Sequence, residues 1–86
     1  MHKDHEVLAR ELEAARKQVR IGGTYSHYKN PDRLYKVIGL GVQEVDDGIC
    51  VIYQAQYGKE LIFVRDLDDW VKEPSPGMPR FKLLDR

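Results

Sequence analysis

Leu34-Tyr-Lys-Val-Ile-Gly-Leu-Gly-Val-Gln-Glu-Val45, Asp46-Asp-Gly48 and Ile49-Cys-Val-Ile-Tyr-Gln-Ala-Gln-Tyr57 decide the fold. The outer segments are rich in β-branched and aromatic residues and the middle one is turn chemistry, so together they read as a β-hairpin. In the second arm Ile49, Val51, Tyr53, Ala55 and Tyr57 share one face, while Cys50, Ile52, Gln54 and Gln56 share the other. Gly39 and Gly41 interrupt the first arm. Glycine inside a strand marks a bulge or bend, and a small sheet needs one to curl on itself.

Working outward toward the C-terminus, Gly58-Lys59 turns into a further strand, Glu60–Arg65. There Leu61-Ile62-Phe63-Val64 is apolar at every position, as in a strand covered on both faces. Asp66 stands where an N-cap belongs, before one helical turn, Leu67–Val71, with Asp68 and Asp69 suiting the positive end of its dipole. Pro74, Pro76, Gly77 and Pro79 make a stiff connection, and residues 80–84 close as a last strand.

Toward the N-terminus, Thr24–Lys29 is a strand, and Asn30-Pro31-Asp32 is the turn that separates it from Leu34. Residues 4–19 read as a helix: Leu8, Leu12, Ala15 and Val19 fall on one stripe, Asp4 can cap the start, and Gly22-Gly23 stops it. Glu6–Arg10 and Glu13–Lys17 have the spacing of supporting ion pairs. The stripe is narrow, so the helix either lies across the sheet or pairs with a second copy; docking is the simpler reading.

These elements add up to a mostly β chain with an N-terminal α-helix. The expected architecture is a small five-stranded SH3-like barrel with one short helical turn before the last strand. An OB-like barrel would want a longer helix where Gly58-Lys59 makes a tight turn. The division expected is a helix over 1–21 and a barrel domain over 22–86.

Size and composition narrow the function. With 86 residues and a formal net charge of zero, the chain is one domain without the global positive charge that nonspecific nucleic-acid binding uses. Residues 1–36 nevertheless carry +3 and residues 37–86 carry −3. The single cysteine, Cys50, excludes an intrachain disulfide and reads as a small buried hydrophobe. No apolar run approaches a membrane span or a signal peptide, so the cytoplasm is the expected compartment.

From Gly23 onward the chain resembles a bacterial family known as domain of unknown function 1653. The resemblance rests on Gly23-Thr-Tyr-Ser-His-Tyr-Lys29, Leu34-Tyr-Lys-Val-Ile-Gly39, Val51-Ile-Tyr-Gln-Ala-Gln-Tyr-Gly58, Phe63-Val-Arg65 and Pro79-Arg-Phe81. It implies the small barrel and leaves the activity open. Phe63 stands where the family often has Trp, and Asp66 where it has Pro. The stretch Asn30–Arg33 is longer than the usual Lys-Gly. All three departures fall near the candidate face and bear on ligand preference.

The residues that could carry chemistry are few. His27, flanked by Tyr25, Tyr28 and Lys29, is a natural proton carrier, but no nucleophile or carboxylate stands at a recognisable spacing. A rim histidine bonded to a backbone carbonyl is the favoured reading. Arg65 at a strand end offers a planar fork to a phosphate or carboxylate; the competing role is a local pair with Asp66 or Asp68, or stacking on a ring. Of Tyr25, Tyr28, Tyr35, Tyr53, Tyr57 and Trp70, at least half are expected in the core, with Tyr28, Tyr35 and Tyr57 partly exposed. His2, Asp4 and His5 read as a solvated face, not a metal site, and Gly39-Leu-Gly41 lacks the lysine and helix of a phosphate loop.

The expected function is a noncatalytic recognition module, with no cofactor and no membrane association. Its face combines His27, Tyr28, Lys29, Arg33, Tyr35, Tyr57 and Arg65, and its ligand is anionic or aromatic: nucleic acid, nucleotide or peptide. Two alternatives are a homodimeric adaptor paired through the helix, and a small enzyme using His27 and Arg65.

Overall fold

A computed structural model describes residues 3–84; His2, named above with Asp4 and His5, lies outside them. The elements in order are α1 (His5–Gln18), β1 (Thr24–His27), β2 (Asn30–Val42), β3 (Ile49–Ala55), β4 (Ile62–Asp66), α2 (Leu67–Val71) and β5 (Phe81–Leu84). The strands form one antiparallel sheet in the order β4-β3-β2-β1-β5. The chain is therefore mostly β with an N-terminal helix and a short helix before the last strand, as the patterning predicts. The sheet curls without closing: among the described residues no ladder joins β4 to β5.

The curl begins at Gly39. Val37 pairs with Tyr53 and Gly39 with Ile52, which leaves Ile38 bulged out of the ladder. An extra residue on one strand sharpens the local twist. The concave face carries the core: Val19, Tyr25, Val37, Val51, Tyr53, Trp70 and Phe81 pack together, with Tyr35, Leu40 and Leu67 at its margin. Cys50 is buried, as expected for a small hydrophobe; burial, then the Asp66 carboxylate, pushes its thiol above the ordinary range. Tyr25, Tyr53 and Trp70 are buried, and Tyr28, Tyr35 and Tyr57 are half-buried.

Several local expectations give way. The first hairpin turns at Tyr28-Lys29, not at Asn30–Asp32: His27 pairs with Asn30 and Ser26 with Leu34, so Pro31, Asp32 and Arg33 bulge out of β2. Asp47, at φ 59°, takes the left-handed backbone position in the second hairpin, and the flanking glycine does not. Asp tolerates that region better than most residues. The carboxylate of Asp46 accepts from Gly48 N at 2.8 Å and fixes the loop.

The largest correction concerns β4. Leu61, Ile62 and Val64 are about 60% exposed and Phe63 38%. The strand lies at a sheet edge, and nothing among the described residues covers its outer face. Apolar residues at every position fit a doubly covered strand and an uncovered edge equally, and sequence pattern does not separate the two. Asp66 precedes α2 but makes no side-chain cap; its carboxylate faces the Cys50 thiol at 3.7 Å.

The helix α1 docks on its own sheet. Ala15 and Val19 are fully buried, and Leu8 and Leu12 half-buried. Asp4 caps it by accepting from Glu6 N at 2.8 Å, and Lys3 N donates to the Asp47 carboxylate, tying the helix start to the β2–β3 loop. Glu13 pairs with Arg16 rather than Lys17, and Glu11 with Lys3. Beyond the helix, Gly22 at φ 84° turns the chain. At Gly23 an added Cβ would stand 2.9 Å from Leu83 and 3.0 Å from the Arg20 carbonyl. A side chain there would push the Leu83 tip aside and crowd the Arg20 carbonyl.

Candidate functional site

Phe81 organises the face that the sequence singles out. It opens β5 and pairs with His27 of β1, so both rings lie at one end of the sheet. The Phe81 ring stacks on Trp70 at 3.8 Å and meets His27 at 5.0 Å, Tyr53 at 5.7 Å and Tyr35 at 6.2 Å. The Arg65 guanidinium lies over it at 5.2 Å. Next to this group the rings of His27 and Tyr28 are 4.8 Å apart, and both Lys29 and Arg80 reach the Tyr28 ring at 5.8 Å.

A second cluster adjoins it through Tyr35. The hydroxyls of Tyr35 and Tyr57 are hydrogen-bonded at 2.7 Å, and Arg33 sits 5.0 Å above the Tyr57 ring. The bulge of Pro31–Arg33 sets this arginine beside a tyrosine from beyond β3. All seven residues singled out in the sequence thus fall into two adjoining clusters linked by the Tyr35–Phe81 contact.

Arg80 belongs with them, and the sequence reading missed it as a site residue. The signal was its place before Phe81: Tyr28 N donates to the Arg80 carbonyl at 3.0 Å, so the strand pairing that sets Phe81 beside His27 also sets Arg80 beside Tyr28. Nothing local in the sequence declares that pairing.

The electrostatics are one-sided. Arg65 Nε meets Asp69 at 3.4 Å, four residues on, in place of the Asp66 or Asp68 partner expected. Arg80, Lys29 and Arg33 have no ion pair among the described residues. One nitrogen of each of two guanidiniums, Arg65 Nη1 and Arg80 Nε, is buried without a hydrogen-bond partner. Leaving such an atom unsatisfied costs about 1–3 kcal/mol; the adjacent ring faces offset part of that by cation–π attraction.

Among the described residues His27 bonds no backbone carbonyl, contrary to the expectation. Its Nδ1 accepts from Lys29 N at 3.2 Å, which assigns the ring proton of the neutral form to Nε2. Burial, followed by the nearby Arg65, Arg80 and Lys29 charges, holds its pKa below the ordinary 6.5. At neutral pH it is an uncharged donor among cations.

A separate concavity lies elsewhere. A cleft of about 600 Å3 between α1, α2 and the β2–β3 loop is lined by Glu11, Asp46, Asp66, Asp68 and Asp69 against Lys3 and Lys72. So many carboxylates repel an anion, and no group of three or more ligating side chains among the described residues could hold a metal. Chemistry, not volume, places the candidate site on the aromatic-basic face.

Fold and face together define a small, open, curled β-sheet domain with a basic aromatic rim. The chain belongs to the family of proteins of unknown function termed DUF1653, whose model matches residues 23–83. It is similar to the crystal structure of a DUF1653 protein from Bordetella bronchiseptica, with 27% identity and a TM-score of 0.66 over 79% of this chain and 90% of that one. No curated protein matches. Helix α1 precedes the matched residues. No helix among the described residues is long and apolar enough to cross a membrane.

Proposed function

We propose that this chain is a noncatalytic recognition module whose aromatic-basic face binds an anionic or aromatic ligand: nucleic acid, nucleotide or peptide. The observation that carries the reading is the gathering of Arg65, Arg80 and Lys29 around His27, Tyr28 and Phe81, with Asp69 paired to Arg65 alone. Cations held part-desolvated beside ring faces attract anions and stack on planar groups. His27 accepts one backbone N–H, and among the described residues no nucleophile or carboxylate is hydrogen-bonded or ion-paired to it. That arrangement supports binding over catalysis.

The test is amide NMR of the isotope-labelled chain titrated with pooled single-stranded RNA and DNA, nucleotides and proline-rich peptides. Saturable shifts clustered on residues 27–35, 57–65 and 80–82 support the reading. Arg65→Ala then weakens binding with the fold intact; unchanged affinity counts against it.

Self-association is the second reading. The expected dimerising stripe of α1 is largely spent on its own sheet, since Ala15 and Val19 are buried there. The uncovered β4 edge is the better surface for a second copy. Light scattering across concentration distinguishes the two: a monomer throughout removes self-association.

A further inference from the structure

We infer that the anion this face takes is a phosphate monoester, carried by a free nucleotide or at the end of a strand, seated among Arg65, Arg80 and the His27 imidazole. The inference rests on the recognition reading and narrows it.

The donor count favours phosphate over carboxylate. His27 accepts from Lys29 N through Nδ1, so its neutral ring donates through Nε2. Two guanidinium forks and the Lys29 ammonium add donors to that one. A carboxylate offers two oxygens and a single charge, whereas a phosphate monoester offers three oxygens and nearly two charges. Three cations stand here against Asp69, and Asp69 engages only Arg65 Nε.

Burial makes those cations effective. Arg65 Nη1 and Arg80 Nε are shut off from water with no partner, while the Arg65 side chain as a whole keeps 28% of its surface exposed. A charge backed by rings instead of water acts on an incoming anion through a lower dielectric. Tyr28, flanked by Lys29 and Arg80, and Tyr57 beneath Arg33 add planar surfaces of the kind on which a base stacks.

Phosphate binding also has a signature at His27. The groups facing the ring are Lys29 from the β1–β2 turn, Arg80 and Phe81 from β5, and Arg65 from β4, itself paired with Asp69 of α2. A dianion among the three cations reverses their effect on the imidazole, so its pKa rises on binding.

The experiment titrates the isotope-labelled full chain with inorganic phosphate, acetate, AMP, adenosine, a proline-rich peptide and a short single-stranded RNA with and without a 5′-phosphate. His27 ring resonances are followed against pH with and without AMP. Expected are saturable shifts at His27, Arg65 and Arg80 with phosphate and AMP, AMP at least about tenfold tighter than adenosine, and a raised His27 pKa in the complex. Arg80→Gln lowers AMP affinity about tenfold; Arg80→Lys, which keeps the charge and loses the fork, checks the result if the first variant folds poorly. AMP binding without binding of the 5′-phosphorylated RNA assigns the free nucleotide, and binding of that RNA without AMP binding assigns the strand end; RNA that binds as tightly without its 5′-phosphate overturns the monoester site. Adenosine as tight as AMP, or acetate as effective as phosphate, overturns the phosphate site and leaves recognition standing. So does a peptide that shifts this face while AMP, phosphate and RNA leave it unmoved. Silence toward every probe overturns both.

Discussion

Trp70 and Phe81 stack with ring centroids 3.8 Å apart and planes 4° from parallel, joining the helix after β4 to the opposite edge strand β5. No backbone ladder among the described residues closes the sheet between β4 and β5, so side chains do it. Tyr25 and Tyr53 meet Trp70 edge-on at 5.3 and 5.0 Å and complete the seal. The same Phe81 ring carries Arg65 and His27 on its other contacts, so the seam of the fold is also the floor of the candidate site.

Phe81→Ala is therefore expected to cost about 3–5 kcal/mol, the usual range for emptying a buried aromatic position. A domain this small has little more than that in reserve. Urea denaturation should show a much lower midpoint, and Trp70, the one tryptophan in the chain, should report the loss by a red-shifted emission. Phe81→Leu, which keeps most of the volume, should retain the fold and still shift that emission. A midpoint unchanged in Phe81→Ala would mean that the seam does not hold the sheet.

The Tyr35–Tyr57 hydroxyl pair predicts alkaline behaviour. Burial first, then the hydrogen bond to Tyr57, pushes the Tyr35 phenol up to about 12. The folded value lies above the unfolded one near 10, so the neutral phenol is the form that folding favours. Its contribution is complete below pH 10 and disappears as pH rises through 12. Ultraviolet titration of the folded chain should find a phenol that ionises late. Tyr57→Phe should bring that step down in pH and cost roughly 1 kcal/mol for the lost bond.

How much of this was legible from sequence varies by the range of the interaction. The glycine bulge at Ile38, the burial of Val51 and Tyr53, and the cap at Asp4 all follow from local pattern and are present. The turn at Tyr28-Lys29 was misplaced because Asn30-Pro31-Asp32 carries turn chemistry but is absorbed as a bulge once Leu34 pairs with Ser26. The candidate residues were individually visible as aromatic and basic side chains. That Arg80 completes them was hidden, since its position depends on β5 pairing with β1 across most of the chain. Long-range pairing, not residue chemistry, was the missing information.

The β4 edge yields a prediction about solution behaviour. Ile62 and Val64 are about 60% exposed on a strand that has no neighbour on its outer side among the described residues. Such an edge templates pairing with another chain. Val64→Lys should change stability by no more than about 0.5 kcal/mol, as exposed substitutions do. It should also suppress any association seen by light scattering at high concentration. A large loss of stability would instead mean that the outer side of β4 is covered in solution.

Val19 tests whether α1 is part of the domain or an appendage to it. It is 1% exposed and packs in the same core as Tyr25, Val37 and Phe81. Just beyond it, Arg20 N donates to the Tyr25 hydroxyl at 2.9 Å and Gly22 N to the Val37 carbonyl at 2.8 Å. These contacts join the end of the helix to β1 and β2 through side chain and backbone alike. Val19→Ala should cost roughly 2 kcal/mol, whereas Val7→Ala, at a position 37% exposed, should cost little. If α1 unfolds with the sheet, helical circular dichroism and Trp70 emission will fall together at one urea midpoint, and Val19→Ala will lower both equally. Separate midpoints would show that the sheet stands without its helix.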